Sequence, residues 1–325
     1  MPAEPPVDAP SPSRFDTVFE VYEVRKTDEG VLYFGDPVVP RDQFLRTVWP
    51  LFRDAGYEVA LEQRYGEFVL VATATDTGDG GFPWLNLLLF FLTVLSTLFA
   101  GSLWYHADLA ASPLNVLEGW PFMLAIMSVL GIHELGHYVM SRYHGVEASL
   151  PYFIPLPLSL IGTLGAVIRM RGRIPDREAL FDIGVAGPIA GLVATVVVTV
   201  IGLWLPPITI PEAVLTSPDA IAVNFGYPPL LQLIAWAIGE PLSYEAPKAV
   251  NPVVFGGWVG MFVTFLNLLP VGQLDGGHVL RSLVGRRSEP VAAAVPAVLL
   301  ALAALLYFTD GVFAGFPFYV EDTSG

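Results

Sequence analysis

"WPFMLAIMSVLGIHELGHYVM", Trp120 to Met140, is long and apolar enough to cross a bilayer, yet it carries two histidines and a glutamate near its end. A spanning helix needs about 20 predominantly apolar residues. Ionisable groups inside such a span are costly, so they face a partner, a cavity or a function. The reading of His133, Glu134 and His137 therefore decides both what kind of protein this is and what it does.

Outward from that stretch the chain holds further apolar runs. They lie at about Phe82–Trp104, Leu180–Leu205, Val253–Leu269 and Pro290–Phe308, which with Trp120–Met140 makes five. Two others, Pro151–Met170 and Pro228–Ile238, are apolar but interrupted or short, and read as re-entrant, extended or interfacial segments. Hydrophobic residues make up 54% of the 325 positions, more than a soluble globule of this length carries. The fold class expected is a polytopic α-helical membrane protein with about five to six transmembrane helices.

Residues 16–75 differ in character. "TVFEVYEV", "VLYFG", "YEVALEQRY" and "EFVLVATAT" alternate and are rich in β-branched and aromatic residues, as strands are. "PRDQFLRTVWPLFRDAG" between them has helical spacing and stops at Gly56. A small soluble α+β domain is expected there. The Pro-rich acidic start, 1–15, reads as a disordered tail without a signal peptide. Residues 76–81 read as a linker, 82–310 as the membrane-embedded core and 311–325 as a C-terminal tail.

Net charge is −15, and the chain has no cysteine. Any transition metal must then be held by His, Asp or Glu rather than thiolate. Strong acidity argues against a nucleic-acid partner. With only two lysines beside 14 arginines, it resembles proteins of high-salt cytoplasms, and the expected location is the plasma membrane of such a prokaryote. Five spans with a cytoplasmic N-terminus place fifteen of the sixteen basic residues inside and leave Lys248 outside, as the positive-inside rule requires. That layout ends the second and fourth spans at the same, cytoplasmic, face. His133 and "NLLPVGQLDGGH", Asn267 to His278, can then meet.

His133 and His137 are four apart, so they share a helix face and can hold one ion, with Glu134 beside it as a base towards a bound water. The plainer alternative is two core histidines satisfied by neighbouring helices, but burying all three groups without a metal leaves a charge to compensate. A catalytic zinc takes three protein ligands and a water. Candidates for the third are His144, Glu147 and Asp275. The topology favours Asp275, whose alternative role is a turn aspartate before Gly276-Gly277. His278 reads as a surface or neighbouring histidine, and His106 as irrelevant.

His133-Glu134-x-x-His137 in one span, with Asn267-x-x-Pro270 and Leu274-Asp275-Gly276 at the end of a later one, resembles the site-2 protease family of intramembrane metalloproteases over about 82–285. The resemblance implies Zn2+ on His133, His137 and Asp275, Glu134 as general base, and Asn267 in support of the tetrahedral intermediate. It implies a transmembrane protein substrate, cut within the lipid bilayer. "PYFIPLPLSLIGTLGAVIRMR" is similar to a family segment that forms an extended hairpin dipping towards the site. "GPIAG", Gly187 to Gly191, suits close helix packing. The loop at about 206–250 and the tail are too short for the PDZ or CBS modules of some relatives. "FDIGVAGPIAG" and the small N-terminal domain more resemble the subgroup with chloroplast members. Two rivals are a Ste24-like protease, which needs a downstream helical glutamate, and a catalytically inactive membrane adaptor of the same fold.

Overall fold

The computed structural model describes residues 9–27, 30–64, 66–74, 82–171, 174–217, 226–272 and 274–308. The expected linker at 76–81 and C-terminal tail at 311–325 lie outside the described residues, as do residues 1–8. In chain order the elements are β1 (Phe19–Thr27), β2 (Gly30–Pro37), α1 (Arg41–Asp54), β3 (Tyr57–Arg64), β4 (Glu67–Ala74), α2 (Trp84–Trp104), α3 (Trp120–Tyr143), β5 (Glu147–Ala148), β6 (Tyr152–Pro155), β7 (Thr163–Val167), β8 (Met170–Arg171), α4 (Arg177–Trp204), β9 (Ile208–Thr209), α5 (Glu212–Leu215), α6 (Pro229–Ile238), β10 (Lys248–Ala249), α7 (Pro252–Asn267), α8 (Asp275–Val284) and α9 (Ser288–Phe308). Contacts divide the chain into two units. The first is Met1–Phe82 with His144–Glu147 and Met170–Leu180; the second is the remainder.

In the first unit the four strands pair antiparallel in the order β1-β2-β4-β3. Register puts Tyr33 of β2 opposite Val24 of β1 and Leu70 of β4, and all three are buried. Helix α1 presents Phe44, Val48 and Phe52 at four-residue intervals to that sheet, each fully buried, and Gly56 turns the chain out of it at φ 76°. Phe15 packs against Tyr33 and Phe52 with ring centroids 5.4 Å apart in both pairs. The buried Tyr33 hydroxyl donates to the Pro10 carbonyl at 2.8 Å. Burial pushes the Tyr33 phenol above its ordinary pKa. The described part of the expected disordered tail, 9–15, is thus ordered. Its composition is that of a loose segment, but one aromatic anchor fixes it.

The second unit is helical. Four helices are long and apolar enough to cross a membrane: Trp84–Trp104, Pro113–Tyr143 with the turn that leads into α3, Arg177–Trp204 and Ser288–Leu305. Together with the small N-terminal sheet domain they give a helical membrane protein. The expected span at Val253–Leu269 is a 16-residue helix, α7, which rises only about 24 Å. It stops at Asn267 because the chain turns through Leu268 towards Pro270. Among buried residues of the second unit, small and hydroxylated side chains are prominent. On α2 Thr93, Ser96, Thr97, Ala100 and Gly101, with Asn86, share one helical face and Ser102 is buried at the helix end, while Leu88, Phe91, Leu92 and Leu95 point outward.

That polar face of α2 has a task. The segment Pro151–Met170 contains the antiparallel hairpin of β6 and β7, with Phe153 opposite Ala166. A two-stranded hairpin leaves backbone groups unpaired, which hydrocarbon does not tolerate. Asn86 Nδ2 donates to the Leu150 carbonyl at 2.7 Å, Ser96 Oγ to the Gly162 carbonyl at 2.5 Å and Trp104 Nε1 to the Leu160 carbonyl at 2.7 Å. The hairpin is thereby fixed along α2, with Phe153 buried against Phe90.

Candidate metal centre

Helix α3 carries His133, Glu134 and His137, and all three are buried, with 4%, 8% and 8% of their surface exposed. Helical spacing places the two imidazoles one above the other, and their Nε2 atoms lie 3.3 Å apart. Asp275 is the first residue of α8, immediately after the turn that ends α7. Its Oδ2 lies 3.3 Å from His133 Nε2 and 3.2 Å from His137 Nε2. Of the three candidates for a third ligand, Asp275 is the one in this cluster. It is not held as a capping aspartate: Oδ2 is buried and accepts no hydrogen bond among the described residues. His144 and Glu147 belong to the first unit.

The tautomer of His137 follows from its partner. His137 Nδ1 lies 2.7 Å from the Ile183 carbonyl of α4. A carbonyl only accepts, so Nδ1 carries a proton, and in the neutral ring Nε2 keeps its lone pair. Asn267 Nδ2 lies 3.1 Å from His133 Nε2, which places the amide at the edge of the cluster. His133 Nε2, His137 Nε2 and Asp275 Oδ2 thus converge on one place, where a cation would satisfy all three. The dimensions fit one. Ligands about 2.0–2.1 Å from a tetrahedral ion stand about 3.3 Å from each other.

Glu134 faces the same region from α3, and its carboxylate is bonded by the backbone amide of Ile168, just past the end of β7. Asn267, the last residue of α7, presents its amide at the cluster. His133, Glu134, His137, Asn267 and Asp275 thus all lie in the second unit, on α3, α7 and α8. Two participants were not read from the sequence, the Ile183 carbonyl and the Ile168 amide. Both are backbone groups, and their side chains carry no signal of the role. His106 lies at the turn after α2 with φ 54°, and His278 lies on α8 beside Gly184.

An apolar helix bundle around a cluster of two buried histidines and the half-buried Asp275 defines a membrane protein with a candidate metal centre. The profile of Peptidase family M50 matches residues 121–309, more than half of the chain, and the chain belongs to that family. It is 31% identical over 196 residues to the probable zinc metalloprotease EGY2, chloroplastic, of Arabidopsis thaliana, which covers 60% of this chain and 34% of that protein. To the probable zinc metalloprotease EGY1, chloroplastic, of the same plant it is 34% identical over 169 residues, 52% of this chain and 30% of the relative. The probable zinc metallopeptidase EGY3, chloroplastic, also of Arabidopsis thaliana, is 26% identical over 336 residues, 93% of this chain and 57% of the relative. The chain spans about a third of the length of the first two relatives.

Proposed function

We propose that this protein is a zinc-dependent intramembrane endopeptidase that cuts transmembrane segments of membrane-protein substrates. His133, His137 and Asp275 hold the ion, Glu134 is the general base and Asn267 a hydrogen-bond donor to the reaction centre. The observation that carries this reading is the triangle of Nε2, Nε2 and Oδ2 atoms, 3.2 to 3.3 Å on each edge and buried within apolar helices. The zinc named in the relatives and the M50 membership of the chain support it.

Zinc bound there supplies a water of lowered pKa and polarises the scissile carbonyl. Glu134, next to the ligands on α3, takes the proton of the attacking water and passes it to the departing amine. The Asn267 amide donates to the oxygen on which negative charge develops. The hairpin β6–β7 ends beside Glu134, so an unwound substrate pairing with its edge would be led to the base. A substrate helix hides its carbonyls in hydrogen bonds, so helices weakened by Gly or Pro are the better substrates.

The topology belongs to the same proposal. Five spans, α7 among them, put the small domain at 16–75 and the opening of the site on the cytoplasmic side, with the core at 82–310. The plasma membrane of a high-salt prokaryote remains the location that the acidic, lysine-poor composition favours.

The test uses purified full chain, reconstituted in liposomes with labelled transmembrane helices, some carrying a central Gly or Pro. Glu134→Gln is expected to lower cleavage by about 10²–10⁴-fold while metal content stays unchanged. Equal turnover by the variant refutes the base assignment. Wild type should retain about one zinc per chain, and Asp275→Ala should lose it. Zinc bound without any cleavage would favour the inactive adaptor.

A further inference from the structure

Helix α4 meets the ligand cluster with glycine. Gly184, Gly187 and Gly191 stand at intervals of three and four and share one helix face. A methyl group at Gly187 would overlap the His137 imidazole, whose Nε2, Cδ2 and Cε1 would be its three nearest neighbours. At Gly191 it would lie 2.8 Å from Nδ1 and 3.1 Å from Cβ of His133. At Gly184 it would meet Val279 Cγ2 first, at 3.1 Å, with the Asp275 backbone carbonyl at an ordinary 3.5 Å. The same turn of α4 supplies the Ile183 carbonyl that takes the Nδ1 proton of His137. Pro188 lies inside the helix and has no N–H to give to the Gly184 carbonyl, which loosens the turn where these contacts are made. Glycine and proline are both unfavourable in a helix interior, and here Gly187 and Gly191 coincide with the two imidazoles.

Close packing alone does not account for this. Gly202, further along α4, meets backbone: a methyl there would come 2.7 Å from the Val254 nitrogen. At Gly187 and Gly191 the neighbours are the two imidazoles themselves. We propose that Gly187 and Gly191 are positioning residues of the metal centre. Bare α4 backbone forms a wall against which both rings are set, and the Ile183 carbonyl fixes the His137 tautomer, so both Nε2 atoms point to Asp275. This rests on the reading of His133, His137 and Asp275 as metal ligands.

The experiment compares wild type, Gly187→Ala, Gly191→Ala and Gly202→Ala as full chains in detergent. Zinc affinity is read by competition with a chelator, ligand geometry from the absorption of the cobalt-substituted protein, and stability from the Tm of the metal-free protein. Gly202→Ala should lower Tm and leave zinc affinity and the cobalt spectrum as they were. Gly187→Ala should weaken zinc binding by about 10–100-fold, as loss of an outer-shell support does, and shift the cobalt spectrum. Gly191→Ala, with the milder overlap, should do the same to a smaller degree, and carries the test if Gly187→Ala does not fold.

A double-mutant cycle adds a reading that needs no metal. Gly187→Ala should lower the Tm of wild type but not that of His137→Ala, in which the overlapping ring is gone. Wild-type zinc affinity and cobalt spectrum in both alanine variants, or an equal loss of Tm in both backgrounds, would overturn the proposal. Failure of the ligand reading looks different. Wild type would then bind no zinc, and the positioning role would fall with it.

Discussion

The two units of the chain are built inside out with respect to each other. In the first, the buried side chains are large and apolar: Phe15, Phe19, Tyr33, Phe44 and Phe52 fill the space between sheet and helix, while Glu20, Glu23, Lys26 and Glu67 face outward. In the second, α2 buries Thr93, Ser96, Thr97 and Gly101 and turns Leu88, Phe91, Leu92 and Leu95 outward. Water drives the first arrangement, since apolar surface gains by leaving it. In lipid that gain vanishes, and helices associate through close backbone approach and hydrogen bonds. One chain therefore follows two rules for what an interior is. Removing atoms should harm the first unit, and adding atoms should harm the second.

Three substitutions sharpen or break this contrast. Phe15→Ala should cost the first unit about 3–5 kcal/mol, because a fully buried ring leaves a cavity. Amide hydrogen exchange of β2 and β4, measured in the full chain, should show it, while exchange in α2 stays unchanged. Unchanged protection of β4 would mean that residues 9–15 add nothing to that core. Gly101→Val should cost the second unit about 1–3 kcal/mol, since a side chain there meets the Gly119 carbonyl and Phe122. The measurement is thermal unfolding in micelles, and a Tm equal to wild type would contradict the close approach. The smallest effect is expected from Leu95→Ala, 60% exposed on α2, within about 0.5 kcal/mol in the same assay. A loss as large as that of Phe15→Ala would place Leu95 in a protein interface.

The contrast also explains what the sequence reveals. Strands β1–β4 and α1 are legible because alternation and four-residue spacing reflect a water-facing and a buried side. The long helices are legible as apolar runs. The candidate ligands on α3 are legible because His133 and His137 are rare in a span and stand four residues apart, on one helix face. Asp275 needs the topology as well, since nothing near it in sequence pairs it with α3. The hold of α2 on the hairpin is not read from composition, although Asn86, Ser96 and Trp104 lie ten and eight residues apart along it and pay for themselves only once the hairpin is seen. The backbone contributions of Ile183 and Ile168 have no residue-type signature at all. Residues 9–15 show the converse, since composition there reads as disorder and a single phenylalanine decides otherwise.

The contact between α4 and the imidazoles is made by atoms that are missing. No residue is smaller than glycine, so every substitution at 187 or 191 adds bulk at the rings, and none relieves it. The usual way for a lineage to absorb such a change is to shrink the neighbour. Here the neighbours are His133 and His137, and shrinking either removes a nitrogen from the cluster. Change at these two positions therefore has no compensating path through the imidazoles they touch, while Ile189 between them, 60% exposed, is under no such constraint.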